Sequence, residues 1–257
     1  MRPLGEMNPE NVRFVLLDID DTLTTRGRLT AGAYAALEAL RAAGKRVVPV
    51  TGRPAGWCDH IARMWPVDAV IGENGAFYFF MAEGRLQRRF HDGDAERARK
   101  RHGLKEIQEK ILAAVPGCAL ASDQPYRETD LAIDYCEDVP PLPLETAERI
   151  AALMRAQGLN AKISSIHVNG WFGDYDKLVM SQRLFAEVFK CGPAMLQREF
   201  AFAGDSPNDA PMFAFFEHSV GVANVARFAG RIAAQPKYVT RAVAGGGFAE
   251  LAAHLLA

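Results

Sequence analysis

Cysteine is scarce in this chain. Its four cysteines, Cys58, Cys118, Cys136 and Cys191, are scattered, and no two form a CxxC pair. That distribution argues against a disulfide framework or a thiolate zinc site and is the usage expected of a reduced, cytoplasmic protein. Long apolar runs are missing too: no stretch approaches the roughly 18 consecutive apolar residues that a membrane helix needs. The opening MRPLGEMNPENVR has no apolar segment of the secretory kind. Neither sign of charge is in excess, with 30 Lys+Arg against 31 Asp+Glu and a net charge of -1. Nucleic acids and anionic membranes need a basic surplus somewhere, so neither is expected as the main partner. A local basic pocket for a phosphate is compatible with the balance.

What is present is an ordinary soluble composition, 49% hydrophobic and 24% charged over 257 residues, without repeats or low-complexity tracts. It allows one large domain or two modest ones. Residues 12–19 (VRFVLLDI) form a short apolar run ending in acids, the pattern of a strand buried on both faces. Thr30 N-caps a helical stretch with Leu37 and Leu40 at helical spacing and Gly44 as its stop. RVVPVTG predicts a second strand. A helix with Trp57, Ile61 and Met64 and a third strand in DAVIGENG follow. Strand, helix and strand with short connections predict a doubly wound parallel sheet of Rossmann type. The rhythm then changes. AFYFFMAEGRLQRRF reads as a hairpin turning at Glu83-Gly84, followed by a polar helix from about Asp94 to Ala114 and strands in DLAIDY and NAKISSIHVNGWF. An inserted α+β unit, residues 79–175, is therefore expected within a core made of 1–78 and 176–257. From Lys177 the α/β rhythm resumes and ends on a helix at FAELAAHLLA.

Four pieces carry chemistry. LLDIDDTLT sets Asp18 and Asp20 two apart at the end of the first strand, the edge at which open α/β sheets bind ligands. Alone, this pair is as readily a solvated turn or a helix cap. Thr51 ends the second strand, where a hydroxyl and free N–H groups can hold a phosphoryl oxygen. Lys177 opens the helix that resumes the core and could neutralise a nucleophile and a phosphate. AGDSPNDAPMF, residues 203–213, ends another buried strand in Asp205, Ser206, Asn208 and Asp209, acids that suit a hard cation or an Asx-type helix cap.

In this order and at these intervals, DIDDT, a strand-end Thr, a Lys and GDSPND resemble the haloacid dehalogenase (HAD) superfamily of phosphohydrolases. The insert resembles the C2-type cap of the subclass IIB, Cof-like and sugar-phosphatase members, as do IGENGA, GVAN and the closing YVT…GGGFAE. The resemblance implies that Asp18 attacks phosphorus to form an aspartyl phosphate, and that Asp20 protonates the leaving alcohol and then activates water. It implies Thr51, Gly52, Lys177 and Asn208 around the phosphoryl group, with Asn208 orienting either Lys177 or the phosphate. Mg2+ would be held by the Asp18 carboxylate, the Asp20 carbonyl, Asp205 and Asp209, the last directly or through water. Asp21 stands where many relatives carry Gly. The physical logic is independent of the name: two anions must meet, so a divalent ion and a lysine are needed to offset repulsion. An acid role for Asp20 would need its proton held at higher pH, which a neighbouring carboxylate favours.

In the insert, His167, Asn169 and Trp171 alternate along one strand face. They are candidates for touching substrate, with Trp171 as a stacking surface, or else for packing the insert. Arg53 is a candidate for touching substrate or the insert, or else for pairing with an acid; Asn74 is a further substrate candidate, and Arg127 and Lys162 are candidates for a second anionic group on the substrate. The expected activity is hydrolysis of a small phosphate monoester, such as a sugar phosphate, by a monomer or homodimer. A phosphosugar mutase of the phosphomannomutase type is the alternative. A phospho-accepting receiver domain also pairs acids with a Thr and a Lys, but it is about half this length and lacks GDSPND.

Overall fold

The apolar runs lie side by side in the computed structural model, which describes residues 1–164 and 166–257. The chain opens on β1 (Arg2–Pro3) and β2 (Phe14–Leu17), crosses by α1 (Ala31–Ala42) to β3 (Arg46–Pro49), and by α2 (Ala55–Met64) to β4 (Val70–Gly72). A hairpin of β5 (Phe77–Ala82) and β6 (Arg85–Phe90) comes next, then α3 (Asp94–Ala114), β7 (Ala119–Leu120) and β8 (Asp130–Asp134). Then come α4 (Leu144–Ala156), β9 (Asn160–Ile163) and β10 (His167–Trp171). Helices α5 (Lys177–Glu187) and α6 (Pro193–Arg198) lead to β11 (Phe200–Gly204), α7 (Ala210–Phe215), β12 (His218–Gly221), β13 (Tyr238–Val239) and α8 (Ala244–Leu256).

The main sheet has the order β1-β13-β12-β11-β2-β3, and every pair in it is parallel. Strand β2 is buried along its whole length, so its alternating side chains feed two cores. Val15 and Leu17 join the cluster under α1 and α8, while Phe14 and Leu16 join that of α5 and α7. In the second cluster Phe14 stacks on Phe200 at 4.2 Å between centroids, with Phe185 edge-on at 5.4 Å. Burying each such ring is worth about 1.5–3 kcal/mol. The chain leaves β2 toward β3 on one side and returns through β11 on the other. That reversal opens a crevice at the carboxyl ends of β2 and β11.

The Thr30 hydroxyl accepts from the Ala33 N–H at 3.3 Å, the expected N-cap of α1. The expected hairpin turns at Glu83 and Gly84, both with left-handed φ of 50° and 71°, the backbone that a two-residue hairpin requires. The hairpin also has a third strand that the sequence reading did not name. Strand β5 is hydrogen-bonded to β4, so residue 79 falls inside a strand that continues from the core side. Arg2 and Pro3 pair with Tyr238 and Val239 at the sheet edge, a strand too short to leave a sequence signal.

A separate antiparallel sheet runs β7-β8-β10-β9. Its Leu131, Ile133 and Val168 pack with Ile107 and Ile111 of α3 and Ile150 and Met154 of α4. Alternation then places Asp130, Asp134, His167 and Asn169 on the opposite face. His167 and Asn169 thereby share a pocket with Asp18. All four cysteines are free thiols, and among the described residues no helix is long and apolar enough to cross a membrane.

Candidate active site

The carboxyl end of β2 is held by its neighbour: the Asp18 N–H donates to the Ala203 carbonyl at 2.9 Å. The chain then bends at once. The Ile19 carbonyl accepts from the Leu23 and Thr24 N–H groups at 3.0 and 2.9 Å, and Asp21 adopts a left-handed φ of 56°. This turn lets Asp18 and Asp20, which an extended strand would send to opposite faces, line one pocket.

Lys177 starts α5, positioned by Asp176, whose side chain accepts from the Val179 N–H at 2.9 Å. Its buried Nζ donates to Asp18 Oδ1 at 2.6 Å and Asp209 Oδ1 at 2.7 Å. Asp205, at the end of β11, completes a group of three buried carboxylates, each offering an oxygen, all within 4.8 Å of one another. Burial pushes the Asp18 carboxyl up to about 7; Lys177 opposes the rise, while Asp209 and Asp20 add to it. Burial raises Asp205 well above the carboxylate range, reinforced by Asp18, Asp209 and Asp21. For Lys177, burial favours the neutral amine, but the two carboxylates win and hold the ammonium above its ordinary range.

One lysine facing three buried carboxylates leaves a deficit of positive charge. The donor set is all oxygen, so the residues fit a hard divalent cation. Asp205 is pre-oriented, since Asn224 Nδ2 donates to its Oδ2 at 2.9 Å and Thr22 Oγ1 to its Oδ1 at 3.4 Å. Asp209 is more heavily committed. Its Oδ1 takes Lys177, and its Oδ2 accepts from the Asp205 and Ser206 N–H groups at 3.0 and 3.3 Å. That arrangement fits Asp18 and Asp205 as direct ligands and Asp209 as the holder of Lys177.

Thr51 is fully buried, and its hydroxyl accepts from the Arg53 N–H at 3.0 Å, which leaves its O–H proton free to donate. Asn208 lines the pocket with Gly52. It does not orient Lys177 by a hydrogen bond; it accepts from Ser206 Oγ at 2.8 Å and donates to Asn74 Oδ1 at 3.3 Å. Asn74, with a left-handed φ of 55°, stands behind Gly52, and its Nδ2 is buried without a partner among the described residues.

Asp18, Asp20, Arg53, His167, Asn169 and Asn208 are among the groups lining a small pocket with about 10 Å³ of open space. Of the substrate candidates, Arg53, His167 and Asn169 therefore face it. Asn169 is already committed, donating to Asp130 Oδ2 at 2.8 Å. Trp171 does not face it: the ring is buried in the cluster with Phe77 and Tyr175, and Nε1 donates to the Tyr175 carbonyl at 3.1 Å. Arg127 is buried outside the pocket, donating to Asp123, Asp130 and, at 2.8 Å, the Gly52 carbonyl. Lys162 lines a different, larger groove between α4 and α7.

Three acids went unflagged in the sequence. Asp123 and Glu137 reach Arg53 from the insert. Glu137, which burial alone would raise, is held at about 2 because His167 and Arg53 prevail. Glu73, fully buried, accepts from the N–H groups of Ala55, Glu128 and Thr129 at 3.0, 2.9 and 2.6 Å, tying α2 to the insert. Asp123 has a local partner in Arg127, four residues on, but no local spacing marks the reach of Asp123 or Glu137 to Arg53, or of Glu73 to the insert, since those partners lie far away in sequence.

Residues 15–97 match the sequence model of the haloacid dehalogenase-like hydrolases. The fold agrees over nearly the whole chain. A Thermoplasma acidophilum protein is 19% identical with a TM-score of 0.71, covering 95% of this chain and 98% of its own. The sucrose-phosphatase from Synechocystis sp., solved with sucrose and phosphate, is 15% identical with a TM-score of 0.65, covering 99% and 98%. The HAD subclass IIB sugar phosphatase BT4131 is 14% identical with a TM-score of 0.64, covering 95% and 98%. Among curated proteins none matches the sequence. Residues 15–97 are thus similar in sequence to the haloacid dehalogenase-like hydrolases, and the whole chain is similar in fold to these structures, a Rossmann-like core carrying an α+β cap.

Proposed function

We propose that the protein hydrolyses a small phosphate monoester, a sugar phosphate or related metabolite, through an aspartyl phosphate on Asp18. The observation that carries this reading is the convergence of Asp18, Asp205 and Asp209 with the buried Lys177 at one strand edge. Sucrose-phosphatase and the sugar phosphatase BT4131 share the fold, which supports the substrate class.

Asp18 supplies a carboxylate oxygen to phosphorus as the bond to the leaving oxygen breaks, and Lys177 offsets the charge that two meeting anions bring together. Asp20, facing the same pocket, gives its proton to the departing alkoxide and then takes one from the water that cleaves the aspartyl phosphate. Thr51, Gly52 and Asn208 bind the phosphoryl oxygens. Mg2+ held by Asp18 and Asp205, with the Asp20 carbonyl, would supply Lewis-acid stabilisation of the phosphoryl group. Residues 79–175 act as the cap that excludes water. A cytoplasmic setting and a monomeric or dimeric state belong to the same proposal.

The test is free-phosphate release from a panel of sugar and other metabolite phosphates with Mg2+. Asp18→Asn should lose about 1,000-fold or more in kcat, as expected of a missing nucleophile. Full activity in that variant, or no turnover by the unaltered protein on any ester, would overturn the reading.

A further inference from the structure

Every N–H of the Arg53 guanidinium has an acidic partner. Nε and Nη2 hold the Asp20 carboxylate at 3.0 and 2.9 Å. Nη2 also donates to Glu137 Oε1 at 2.6 Å, and Nη1 reaches Glu137 Oε2 at 3.3 Å and Asp123 Oδ2 at 3.4 Å. Asp20 belongs to the catalytic turn after β2, whereas Asp123 and Glu137 belong to the insert. One side chain therefore joins the reacting carboxylate to the element above it, with the Trp57 ring 4.4 Å beneath as a floor.

The insert's acids are rigidly mounted. The Asp134 carboxylate accepts from the N–H groups of Cys136, Glu137 and Asp138, each at 2.8 Å, which fixes the turn that presents Glu137. His167 Nε2 lies 2.9 Å from Glu137 Oε2 on its other side. Asp123 is gripped by Arg127 at 3.0 and 3.1 Å. A planar guanidinium locked on one side by two such acids has its remaining edge aimed in one direction, and that edge is the one holding Asp20. If Glu137 and Asp123 withdraw, the long side chain regains torsional freedom and Asp20 loses its fixed mount.

We infer that Glu137, assisted by Asp123, is a positioning residue that acts through Arg53 to aim Asp20, so that seating of the cap and readiness of the acid are one event. This rests on the phosphatase reading above. In the step concerned, Asp18 forms its bond to phosphorus, the bond to the leaving oxygen breaks, and Asp20, with Oδ1 held by Nε and Nη2 of Arg53 and its proton on Oδ2, gives that proton to the leaving oxygen. A leaving group that departs as a stable anion needs no such proton.

The experiment compares kcat/KM for acetyl phosphate, whose acetate leaves unprotonated, with that for the fastest sugar phosphate of a hexose 6-phosphate panel. Glu137→Gln keeps the shape and removes the charge; Asp20→Asn is the reference and Asp123→Asn the second variant. Glu137→Gln should lose about 10-fold or more on the sugar ester, the lower end of general-acid contributions, and several-fold less on acetyl phosphate. Asp20→Asn should show the same pattern more strongly, and Asp123→Asn more weakly. Circular dichroism and urea midpoints identify a variant that has simply unfolded, in which case Asp123→Asn carries the comparison. Equal losses on both phosphates, or no loss on either, would overturn the positioning role while leaving the phosphatase reading intact. Failure of the unaltered protein on both phosphates with Mg2+ would overturn the two together.

Discussion

Replacing Lys177 by Met should make folding stability steeply dependent on pH. Lys177 is 2% exposed and bridges Asp18 and Asp209 at 2.6 and 2.7 Å. Methionine retains most of the buried stem and removes the charge. At an effective dielectric near 20, one such pair is worth about 4 kcal/mol before desolvation is counted. Breaking a buried pair and leaving its partner uncompensated costs about 3–5 kcal/mol. The protein has one escape, which is to protonate a carboxyl. Asp18 already sits up at about 7 in the fold against 3.8 as its ordinary value, and losing the cation that opposes that rise moves it higher still. The folded variant then holds a proton that the unfolded chain has released. Stability therefore falls as pH rises through that window, each pH unit costing up to about 1.4 kcal/mol per proton. Below pH 4 both states are protonated and the difference vanishes. Because the unaltered protein shares this slope up to about pH 7, the variant should lose about 1 kcal/mol at pH 5 and about 3 kcal/mol at pH 8.5 relative to it, with Mg2+ recovering part of the loss at the higher pH. Urea denaturation at both values, in chelator and in Mg2+, measures it. A loss that is the same at pH 5 and 8.5 would refute the electrostatic reasoning and reduce Lys177 to packing.

Two further outcomes follow from the same geometry. Mg2+ at about 100 times its dissociation constant should add roughly 2.7 kcal/mol of stability by mass action, read as a rise in thermal midpoint, and Asp205→Asn should abolish that rise. Gly75→Ala should destabilise beyond the about 1–3 kcal/mol of a strained backbone, since Gly75 has φ +107° and a Cβ there would lie 2.1 Å from the Asp176 carbonyl oxygen; a denaturation midpoint equal to that of the unaltered protein would refute it.

The core positions were legible because each sits where a buried run stops. Asp18, Thr51 and Asp205 follow strands whose apolar residues are crowded on both faces, and Lys177 follows a helix-capping aspartate. Such punctuation is local, so a sequence displays it. The grip on Arg53 is not local: Asp123 and Glu137 are 70 and 84 positions away, and the one nearby signal, Arg127 four residues after Asp123, points to a local ion pair and not to Arg53. Trp171 illustrates a different limit. Alternation places it correctly on the face of His167 and Asn169, yet it pairs with Asp130 at the very end of β10, where the chain turns back to the core. There the ring packs against Tyr175 at 5.8 Å between centroids. Facing was readable from period 2; distance along the strand from the pocket was not. The hairpin shows the same division, since the turn at Glu83-Gly84 is written in two residues, while its pairing with β4 is settled by tertiary packing.

The grip on Arg53 also bears on which esters the site would favour. The pocket beside Asp18 leaves only about 10 Å³ of open space with the insert seated, while Ile163 and Pro207, chain neighbours of its lining residues Ser164 and Ser206, border the larger groove at Lys162. Any ester therefore has to open the site, and a compact polar leaving group shifts the insert least, so Glu137 stays on Arg53 and Asp20 stays aimed. A bulkier alcohol has to displace the insert, and the first contacts to stretch are the 2.6 and 3.3 Å bonds from Arg53 to Glu137. On the positioning role inferred for Glu137, such a substrate binds but meets a poorly aimed acid. Its penalty then falls on the chemical step, and more heavily the more basic its leaving oxygen. Selection for small leaving groups would thus come from Asp20 on the core, with the insert sensing size through a single guanidinium.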